Sequence, residues 1–405
     1  MTVEVHSLGC RLNISESETL RGLLRGVSET DGDLVVVNSC AVTAEAVRQT
    51  RQAIRRARKE RPDARLIVTG CAAEVERAML AAMPEVDGLV PNTAKLDPRA
   101  WNVAPAPAPV AGPLRRHAYT RGFVQVQNGC DHACTFCVIP QGRGPSRSRS
   151  ISEVLHDVAV HRDAGVNEIV LTGVDLTSWG SDLDGASGPA PVRLGALCEA
   201  ILARFPTLPR LRLSSIDGAE VDEALFELLA GEARVMPHVH LSLQHGHDLI
   251  LKRMKRRHSR ADAVSLVSAL RARRPEIAIG ADLIAGFPTE DEEAHAANLS
   301  IVEELQVVHG HVFPYSQRPG TPAARMPQVD AATIKARAAD LRAKIAKIRA
   351  NWLAGLVGKP LSVLAERGAK GHAENFAPVG LPADVQPGTL IRVTPARVVE
   401  GILES

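Results

Sequence analysis

The 405-residue chain is 45% hydrophobic and 23% charged, which is typical of a globular protein and excludes a mainly disordered chain. Its formal net charge of +2 is too small to indicate a nucleic-acid partner, so any basic surface must come from local clustering. The sequence has neither a charged leader with a long apolar run nor a window of about 18 to 20 apolar residues, which predicts a cytoplasmic protein without a membrane partner.

Residues 1–101 are predicted to form a parallel α/β domain. Three short apolar runs, VEVHSL, LVVVNS and RLIVTG, alternate with segments rich in Ala, Glu and Arg. This is the order of βαβ units, whose strands lie parallel in one sheet. Residues 102–114 are rich in Pro and Ala and cannot form a regular ladder, which predicts a stiff linker between two domains.

Residues 115–329 repeat the same alternation, so the fold class is α/β throughout. Six strand-like runs begin near positions 122, 168, 210, 239, 279 and 307, and they predict a central partial (β/α) barrel. Apolar side chains then recur at helical spacing, which predicts a connecting helix over 330–358 that packs across the barrel. Short alternating pieces with Gly and Pro over 359–405 predict a small C-terminal β-barrel.

Seven cysteines in a reducing compartment favour metal ligands or catalytic thiols over disulfides. Cys130, Cys134 and Cys137 form the pattern CxxxCxxC after the first strand of the predicted barrel. Three thiolates can hold three irons of a 4Fe–4S cluster and leave the fourth iron open. The amino and carboxylate groups of S-adenosylmethionine can chelate that iron, so that one electron yields an adenosyl radical. The alternative is a zinc site completed by His132, although structural zinc typically uses paired CxxC units.

Cys10, Cys40 and Cys71 each follow one of the N-terminal strands directly. The carboxyl ends of parallel strands meet at one edge of a sheet, where α/β proteins place ligand sites. We therefore expect these thiols to converge on a second cluster, and the alternative is that they are small buried side chains. Cys198 lies in an apolar helical stretch and is predicted to be a core residue.

With both cysteine sets in view, the sequence resembles the methylthiotransferase family of radical S-adenosylmethionine enzymes over nearly its whole length. The stretches that carry the resemblance are SLGCRLN, VVVNSCAVT, VTGCAAE, GCDHACTFCVIP, RGPSRSR, HLSLQ, LKRMKRRH, DLIAGFPTE and FPYSQRPGTPA. The resemblance implies a central barrel of the radical type and a C-terminal β-barrel of the TRAM type. It also implies that one S-adenosylmethionine donates a methyl group to sulfur at the N-terminal cluster, while a second supplies the radical that removes hydrogen where sulfur is inserted.

The resemblance further implies contacts to S-adenosylmethionine from an aromatic residue before the third cysteine and from polar or small residues at the ends of barrel strands. A strand-end serine is also a common turn former, and the later polar residues can be structural. The chain departs from many relatives at 245–248, where His-Gly-His-Asp replaces small residues. The cofactor-binding residues expected on this basis are Phe136, Thr172, Gly173, Ser214, Gln244 and Asp282.

Basic residues cluster in two places. Arg143, Arg147 and Arg149 follow the radical motif in a Gly/Pro/Ser-rich segment, where they can contact RNA phosphates while a base is extruded, or else form internal ion pairs. The run over 252–257 and the C-terminal barrel are the next candidates for RNA contacts. From Leu361 onward, four Lys/Arg against five Asp/Glu form a weak footprint for RNA and allow a packing module instead.

Within the family, the basic residue in GCRLN resembles the group that acts on N6-threonylcarbamoyladenosine beside the anticodon of tRNA. The alternatives are relatives that act on isopentenyladenosine in tRNA or on an aspartate of a ribosomal protein, and, outside the family, a non-catalytic iron–sulfur RNA-binding scaffold. The expected cofactors are two 4Fe–4S clusters and S-adenosylmethionine. The expected partners are tRNA and an electron donor such as a flavodoxin or ferredoxin, while the sulfur source is not identified by the sequence.

Overall fold

The computed structural model describes residues 2–24, 32–102, 120–183 and 192–405. The predicted linker therefore lies outside the described residues except for Asn102. Within the described ranges, no helix combines the length and the apolar character needed to cross a bilayer.

The first part of the chain contains a parallel four-stranded sheet in the order β1, β2, β3, β4. All six residues of β2 are buried because helices cover both faces. Val35 and Val37 pack towards α2, whereas Val36 packs towards α1. The predicted βαβ order is confirmed. The elements are β1 (Val3–Ser7), α1 (Arg11–Leu23), β2 (Leu34–Ser39), α2 (Ala44–Glu60), β3 (Arg65–Gly70), α3 (Cys71–Val75), α4 (Arg77–Ala81) and β4 (Gly88–Leu89).

The central part is the predicted partial barrel. Strands β5, β8 and β9 form one parallel sheet, and β10 to β13 form a second. Leu211 of β9 also makes an isolated bridge to Val235, three residues before β11 begins. Among the described strands no pairing joins β5 to β13, so the barrel is open on that side. The elements are β5 (Gly122–Gln125), β6 (Gln127–Asn128), α5 (Ile139–Arg143), β7 (Arg147–Ser148), α6 (Ile151–Asp163), β8 (Glu168–Thr172), α7 (Leu194–Arg204), β9 (Arg210–Leu213), β10 (Ser215–Ile216), α8 (Glu223–Gly231), β11 (His238–Gln244), α9 (Asp248–Arg253), α10 (Arg260–Arg273), β12 (Ala278–Ala285), α11 (Glu292–Glu304) and β13 (Val307–Pro314).

The connecting helix α12 (Ala331–Ala354) begins after Asp330, whose side chain accepts a hydrogen bond from the Thr333 N–H. It packs along β13, the strand at the open edge of the barrel. Gly310 on β13 makes this approach possible, since a Cβ there would lie 2.3 Å from the Ile345 side chain. Cys198 on α7 is 1% exposed and belongs to the barrel core, as predicted.

The C-terminal part forms a small six-stranded sheet, mostly antiparallel, in the order β17, β14, β15, β16, β19, β18. This small sheet is consistent with a TRAM-like domain. Its pairings do not join β17 to β18, so the described residues show no closed barrel. The strands are β14 (Leu361–Glu366), β15 (Lys370–Ala373), β16 (Pro378–Gly380), β17 (Leu390–Val393), β18 (Arg397–Val399) and β19 (Ile402–Glu404).

This sheet docks on the barrel through buried arginines. Arg210 donates to the Ser362 carbonyl oxygen at 2.6 Å, and Arg212 donates to the Glu374 carbonyl oxygen at 3.2 Å. The sheet therefore packs on the barrel at the residues Ser362 and Glu374.

Candidate active site between two cysteine triads

The loop that carries Cys130, Cys134 and Cys137 follows β5 and β6 at the carboxyl end of the barrel strands. Its conformation depends on Gly129, which has a φ of +74° and where a Cβ would lie 1.8 Å from a backbone oxygen. Thr135 ties the loop to the segment after α9, because its N–H donates to the Met254 carbonyl oxygen at 3.1 Å. The three thiols are consequently held on one short, fixed loop.

The environment of these thiols fits a metal cluster. Burial raises the pKa of Cys130 to about 12 and that of Cys137 to about 11. A buried thiolate therefore needs a cation, which iron supplies when it replaces the proton. Two groups already point at the sulfur atoms, since the Ile139 N–H lies 3.4 Å from the Cys137 Sγ and the Arg256 guanidinium lies 3.5 Å from the Cys134 Sγ. Hydrogen bonds of this kind tune iron–sulfur clusters.

The structure also brings Cys10, Cys40 and Cys71 together at the carboxyl edge of the N-terminal sheet. Burial raises the pKa of Cys40 to about 11, and the adjacent Cys10 and Cys71 thiols act in the same direction. Gly9 makes room for this arrangement, because a Cβ there would lie 2.7 Å from the Cys40 Sγ. Such a set of three converging thiols is suited to a cluster with one open iron.

The two triads face each other across the junction between α3 and α5. A Cβ at Gly142 would lie 3.2 Å from the Cys71 Cβ, so the two helices are in close contact. Asn92 bridges them, since its Nδ2 donates to the Gly142 carbonyl oxygen at 2.5 Å and lies 3.9 Å from the Cys71 Sγ. The Cys71 thiol is near enough to contribute to the raised pKa of Cys137.

A buried ion network locks this junction. Arg143 is 1% exposed and donates to Glu16 at 2.8 Å and to Asn13 at 2.5 Å. Lys95 donates to the same carboxylate at 2.5 Å. Burial acts to raise the pKa of Glu16, but the positive charges of Lys95 and Arg143 outweigh it and lower the pKa. Glu16 therefore stays ionised.

This network corrects the prediction that Arg143 contacts RNA. A guanidinium whose donors are taken by Glu16 inside the protein is not available to a phosphate, and the alternative of internal ion pairs holds for this residue. Arg147 is exposed, whereas Arg149 is half-buried and lies 2.5 Å from Asp157. Sequence reasoning missed the Glu16 network, although Glu16 lies three residues beyond the SLGCRLN stretch.

A cavity opens beside the radical loop, and it contains two of the residues expected to bind the cofactor, Phe136 and Gln244. Gln244 has a φ of +66°, a strained conformation that aims the end of β11 into the site. Sequence reasoning missed most of the polar lining. The other polar residues that face the cavity are His132, Asp175, Thr177, Ser215, Asp217, Ser242 and Arg256.

Thr172, Gly173 and Ser214 are not part of that lining. The Thr172 hydroxyl donates to the Val124 carbonyl oxygen at 3.2 Å, which ties β8 to β5. Gly173 packs against Gln127, whose Oε1 accepts hydrogen bonds from the two residues that follow Gly173. Ser214 is buried, and its neighbour Ser215 faces the cavity instead. These three residues therefore lie close in sequence to residues that line the cavity but do not line it themselves.

Asp282 also lies elsewhere. Its Oδ1 is 3.1 Å from the His240 Nε2 and 2.9 Å from the His311 Nδ1. The unusual His245 is fully buried, and its Nε2 lies 3.2 Å from the Glu290 carboxylate, so this departure from the family pattern is structural. The His132 Nε2 lies 2.8 Å from the Asp175 carboxylate, and hydrogen bonding to Asp175 and Glu220 raises the pKa of His132 to about 10.

Comparisons with known proteins identify the families that this chain matches. The radical S-adenosylmethionine superfamily matches residues 124–299, and an uncharacterized protein family, UPF0004, matches residues 2–91. The first match overturns the zinc alternative for the CxxxCxxC loop. Among solved structures, the radical S-adenosylmethionine methyltransferase TsrM from Kitasatospora setae is similar in fold, with a TM-score of 0.52 and 19% identity over 77% of this chain and 67% of that chain.

Curated relatives extend over the whole chain. It is 42% identical to the threonylcarbamoyladenosine tRNA methylthiotransferase MtaB of Rickettsia prowazekii, over 99% of this chain and 96% of the relative. It is 32% identical to MtaB of Aquifex aeolicus, over 97% and 100%. It is 33% identical to the tRNA-2-methylthio-N(6)-dimethylallyladenosine synthase of Erythrobacter litoralis, over 97% and 94%. The chain is therefore an enzyme that uses a 4Fe–4S cluster with S-adenosylmethionine, and it belongs to the methylthiotransferase family of radical S-adenosylmethionine enzymes.

Proposed function

We propose that this enzyme converts N6-threonylcarbamoyladenosine beside the anticodon of tRNA to its 2-methylthio derivative. The observation that carries the proposal is the close approach of two cysteine triads, because the reaction needs a radical and a sulfur donor at one substrate carbon. The names of the relatives from Rickettsia prowazekii and Aquifex aeolicus support the threonylcarbamoyl substrate.

Cys130, Cys134 and Cys137 would hold the first cluster, which would supply the electron needed to cleave S-adenosylmethionine. Phe136 and Gln244 contact the cofactor in the cavity beside it. The edge of Phe136 packs at 83° against the ring of Phe287, with the ring centroids 6.3 Å apart, so its orientation is fixed before the cofactor binds.

Cys10, Cys40 and Cys71 hold the second cluster, on the side that handles sulfur. Asn92 keeps a side-chain N–H near the Cys71 sulfur and ties that triad to the radical loop. The buried Glu16 network holds α1 and α5 together, and with them the two triads.

The proposal includes tRNA as the partner and the cytoplasm as the compartment. The exposed Arg147 and the exposed Lys252 and Lys255 near the radical loop are the basic groups available for phosphates or for an acidic electron donor such as a flavodoxin or ferredoxin. Residues 1–101, 115–329 and 359–405 are proposed as three domains, with the 102–114 linker and the 330–358 helix between them.

A second candidate substrate is dimethylallyladenosine, favoured by the relative from Erythrobacter litoralis. Mass spectrometry of tRNA nucleosides, from cells with and without the gene, distinguishes the two. We expect the methylthio derivative of threonylcarbamoyladenosine to disappear on deletion, while its unmodified precursor accumulates. Loss of the methylthio derivative of dimethylallyladenosine instead would replace the proposed substrate by the second candidate.

A further inference from the structure

Arg11 occupies an unusual place between the N-terminal sheet and the barrel. It is the first residue of α1 and directly follows Cys10. Helix α1 packs on β5, where the Ser15 hydroxyl donates to the Phe123 carbonyl oxygen at 2.9 Å. Because β5 borders the open side of the barrel, the start of α1 lies at that opening.

The Arg11 side chain points into the barrel. Burial lowers its pKa, the guanidinium groups of Arg212 and Arg121 lower it further, and the carboxylates of Glu168 and Asp282 oppose this effect. The Phe376 ring next to Arg11 also lies 4.9 Å from the Arg212 guanidinium on β9 and 5.2 Å from the His238 ring on β11, which belong to different sheets. The Arg11 guanidinium therefore lies near both halves of the barrel. Its central carbon is 5.7 Å from the centroid of the Phe376 ring, which comes from the C-terminal sheet.

The nearby carboxylates are already engaged by other groups. Glu168 contacts Arg121 at 2.5 Å and Arg212 at 3.0 Å, and Asp282 lies within 3.1 Å of two imidazoles. In the described part of the chain, no hydrogen bond or ion pair engages the Arg11 guanidinium, which faces the Phe376 ring. A half-buried guanidinium offers five N–H donors and is stabilised when an acceptor arrives.

The opening next to Arg11 is polar and accessible. The side chain of His311 on β13 is 60% exposed, while its Nδ1 stays 2.9 Å from Asp282. An isoprenoid group offers no acceptor to a guanidinium, whereas a threonylcarbamoyl group ends in a carboxylate. The planar guanidinium matches a carboxylate through two parallel hydrogen bonds.

Resting on the proposed function, we propose that Arg11 binds the carboxylate of the threonylcarbamoyl group and thereby selects this substrate. Since Arg11 directly follows Cys10, a carboxylate held there keeps the modified adenine beside the triad that handles sulfur. Arg11 is thus a binding residue of the substrate site that also sets specificity within the family.

The test compares two substrates in the reconstituted holoenzyme. One is a tRNA anticodon stem-loop with N6-threonylcarbamoyladenosine, and the other carries the same group with its carboxylate converted to the neutral amide. For the unaltered enzyme we expect kcat/KM to be about 10- to 100-fold higher for the acid, since a charge-assisted pair is lost in the amide. Arg11→Gln should lower kcat/KM for the acid by a similar factor and treat both substrates alike. Arg48→Gln, on an exposed face of α2, is the matched control and should keep the full preference.

The outcomes separate the two proposals. If Arg11→Gln keeps the preference for the acid, the carboxylate is bound elsewhere and the inference about Arg11 is overturned. If the unaltered enzyme methylthiolates neither stem-loop but acts on one with dimethylallyladenosine, the proposed substrate itself is wrong. Iron content and the visible absorption spectrum verify both clusters in each variant. If Arg11→Gln loses a cluster, Arg11→Lys replaces it in the test. An ammonium keeps the positive charge but cannot form the planar pair of hydrogen bonds with a carboxylate. Arg11→Lys should therefore still favour the acid over the amide, but by a smaller factor than the unaltered enzyme.

Discussion

At the scale of single residues, burial controls the chemistry of the thiols. The pKa of Cys130 is raised to about 12 by burial and by Asp175, whose carboxylate lies 3.5 Å from the sulfur. Such a thiol ionises at neutral pH only when a cation takes the place of its proton. Cys130 is therefore a poor free nucleophile and is suited to binding a metal cluster.

Alanine in place of Cys130, Cys134 or Cys137 should abolish cleavage of S-adenosylmethionine, because two thiolates do not anchor a cubane. The measurement is 5′-deoxyadenosine formation under reducing, anaerobic conditions. Cys10→Ala is the matched control from the other triad, and it should keep cleavage but form no methylthio product. An unchanged rate of 5′-deoxyadenosine formation in a variant of the radical loop would show that the radical assignment is wrong.

Glu18 on α1 is a second residue whose ionisation depends on burial, which raises its pKa from 4.5 to about 7. The folded protein therefore binds this proton more tightly than the unfolded chain, and stability falls as pH rises from 4.5 to 7. Glu18→Gln should raise the free energy of unfolding above pH 7 by about 3 kcal/mol and should have no such effect near pH 4.

Apparent unfolding temperatures of the holoenzyme across this pH range measure the effect of Glu18→Gln. Glu45→Gln is the control, because Glu45 is exposed and paired with Arg48 at 2.6 Å. If the unfolding temperatures of Glu18→Gln and the unaltered protein differ by the same amount at pH 4 and above pH 7, the raised pKa of Glu18 is contradicted.

At the scale of elements, the segment from α5 to β7 divides its arginines between two roles. Arg143 at the end of α5 points inward to Glu16 and fixes α5 against α1, while Arg147 on β7 points to solvent. One short stretch therefore contributes both to the junction of the triads and to the surface around it.

Replacing the exposed Arg147 and Lys252 by Gln should weaken tRNA binding and reduce its salt dependence. Each lost phosphate contact lowers the slope of log K against log salt by about 0.7 to 0.9. Arg143→Gln should leave that slope unchanged but destabilise the protein by about 3 to 5 kcal/mol, because Glu16 loses a buried partner. Filter binding over a salt series measures the first effect and thermal unfolding the second. A slope that falls as much in Arg143→Gln as in the double variant would return Arg143 to the RNA-binding surface.

At the scale of the whole molecule, one aromatic ring joins the C-terminal sheet to the base of the barrel. Phe376 stacks on His372 at 4.5 Å and on His238 at 5.2 Å, and the Arg212 guanidinium lies 4.9 Å from its centroid. Since Arg11 reaches the same ring, Phe376 connects all three parts of the chain.

Phe376→Ala should lower the free energy of unfolding by about 3 to 5 kcal/mol, because it empties a packed site between the sheet and the barrel. It should also speed proteolysis between α12 and β14. Thermal unfolding and limited proteolysis followed by mass spectrometry measure the two effects, and Ile402→Ala on the exposed side of the same sheet is the control. Proteolysis and unfolding temperatures equal to those of the control would mean that the C-terminal sheet docks independently of this ring.

The sequence alone determined the α/β order, the long helix and the family, because these depend on local patterns. Hydrophobic periodicity reports which face of a strand or helix is buried, and the spacing of Cys130, Cys134 and Cys137 on one loop is itself the ligand pattern. The convergence of Cys10, Cys40 and Cys71 also followed from parallel strands, whose carboxyl ends share one edge.

Only the tertiary structure decided which polar side chains face the cavity and which are satisfied internally. Arg143 and Arg147 are alike in sequence, yet one meets Glu16 from more than a hundred residues away and the other meets solvent. The strands that carry or adjoin Thr172, Ser214 and Asp282 form as expected. Successive side chains of a strand point to opposite faces, however, so a shift of one position decides whether a side chain faces the cavity or a neighbouring element. Long-range partners of this kind, including the barrel interior that receives Arg11, depend on how the sheets and helices pack together, and local sequence patterns carry no information about that packing.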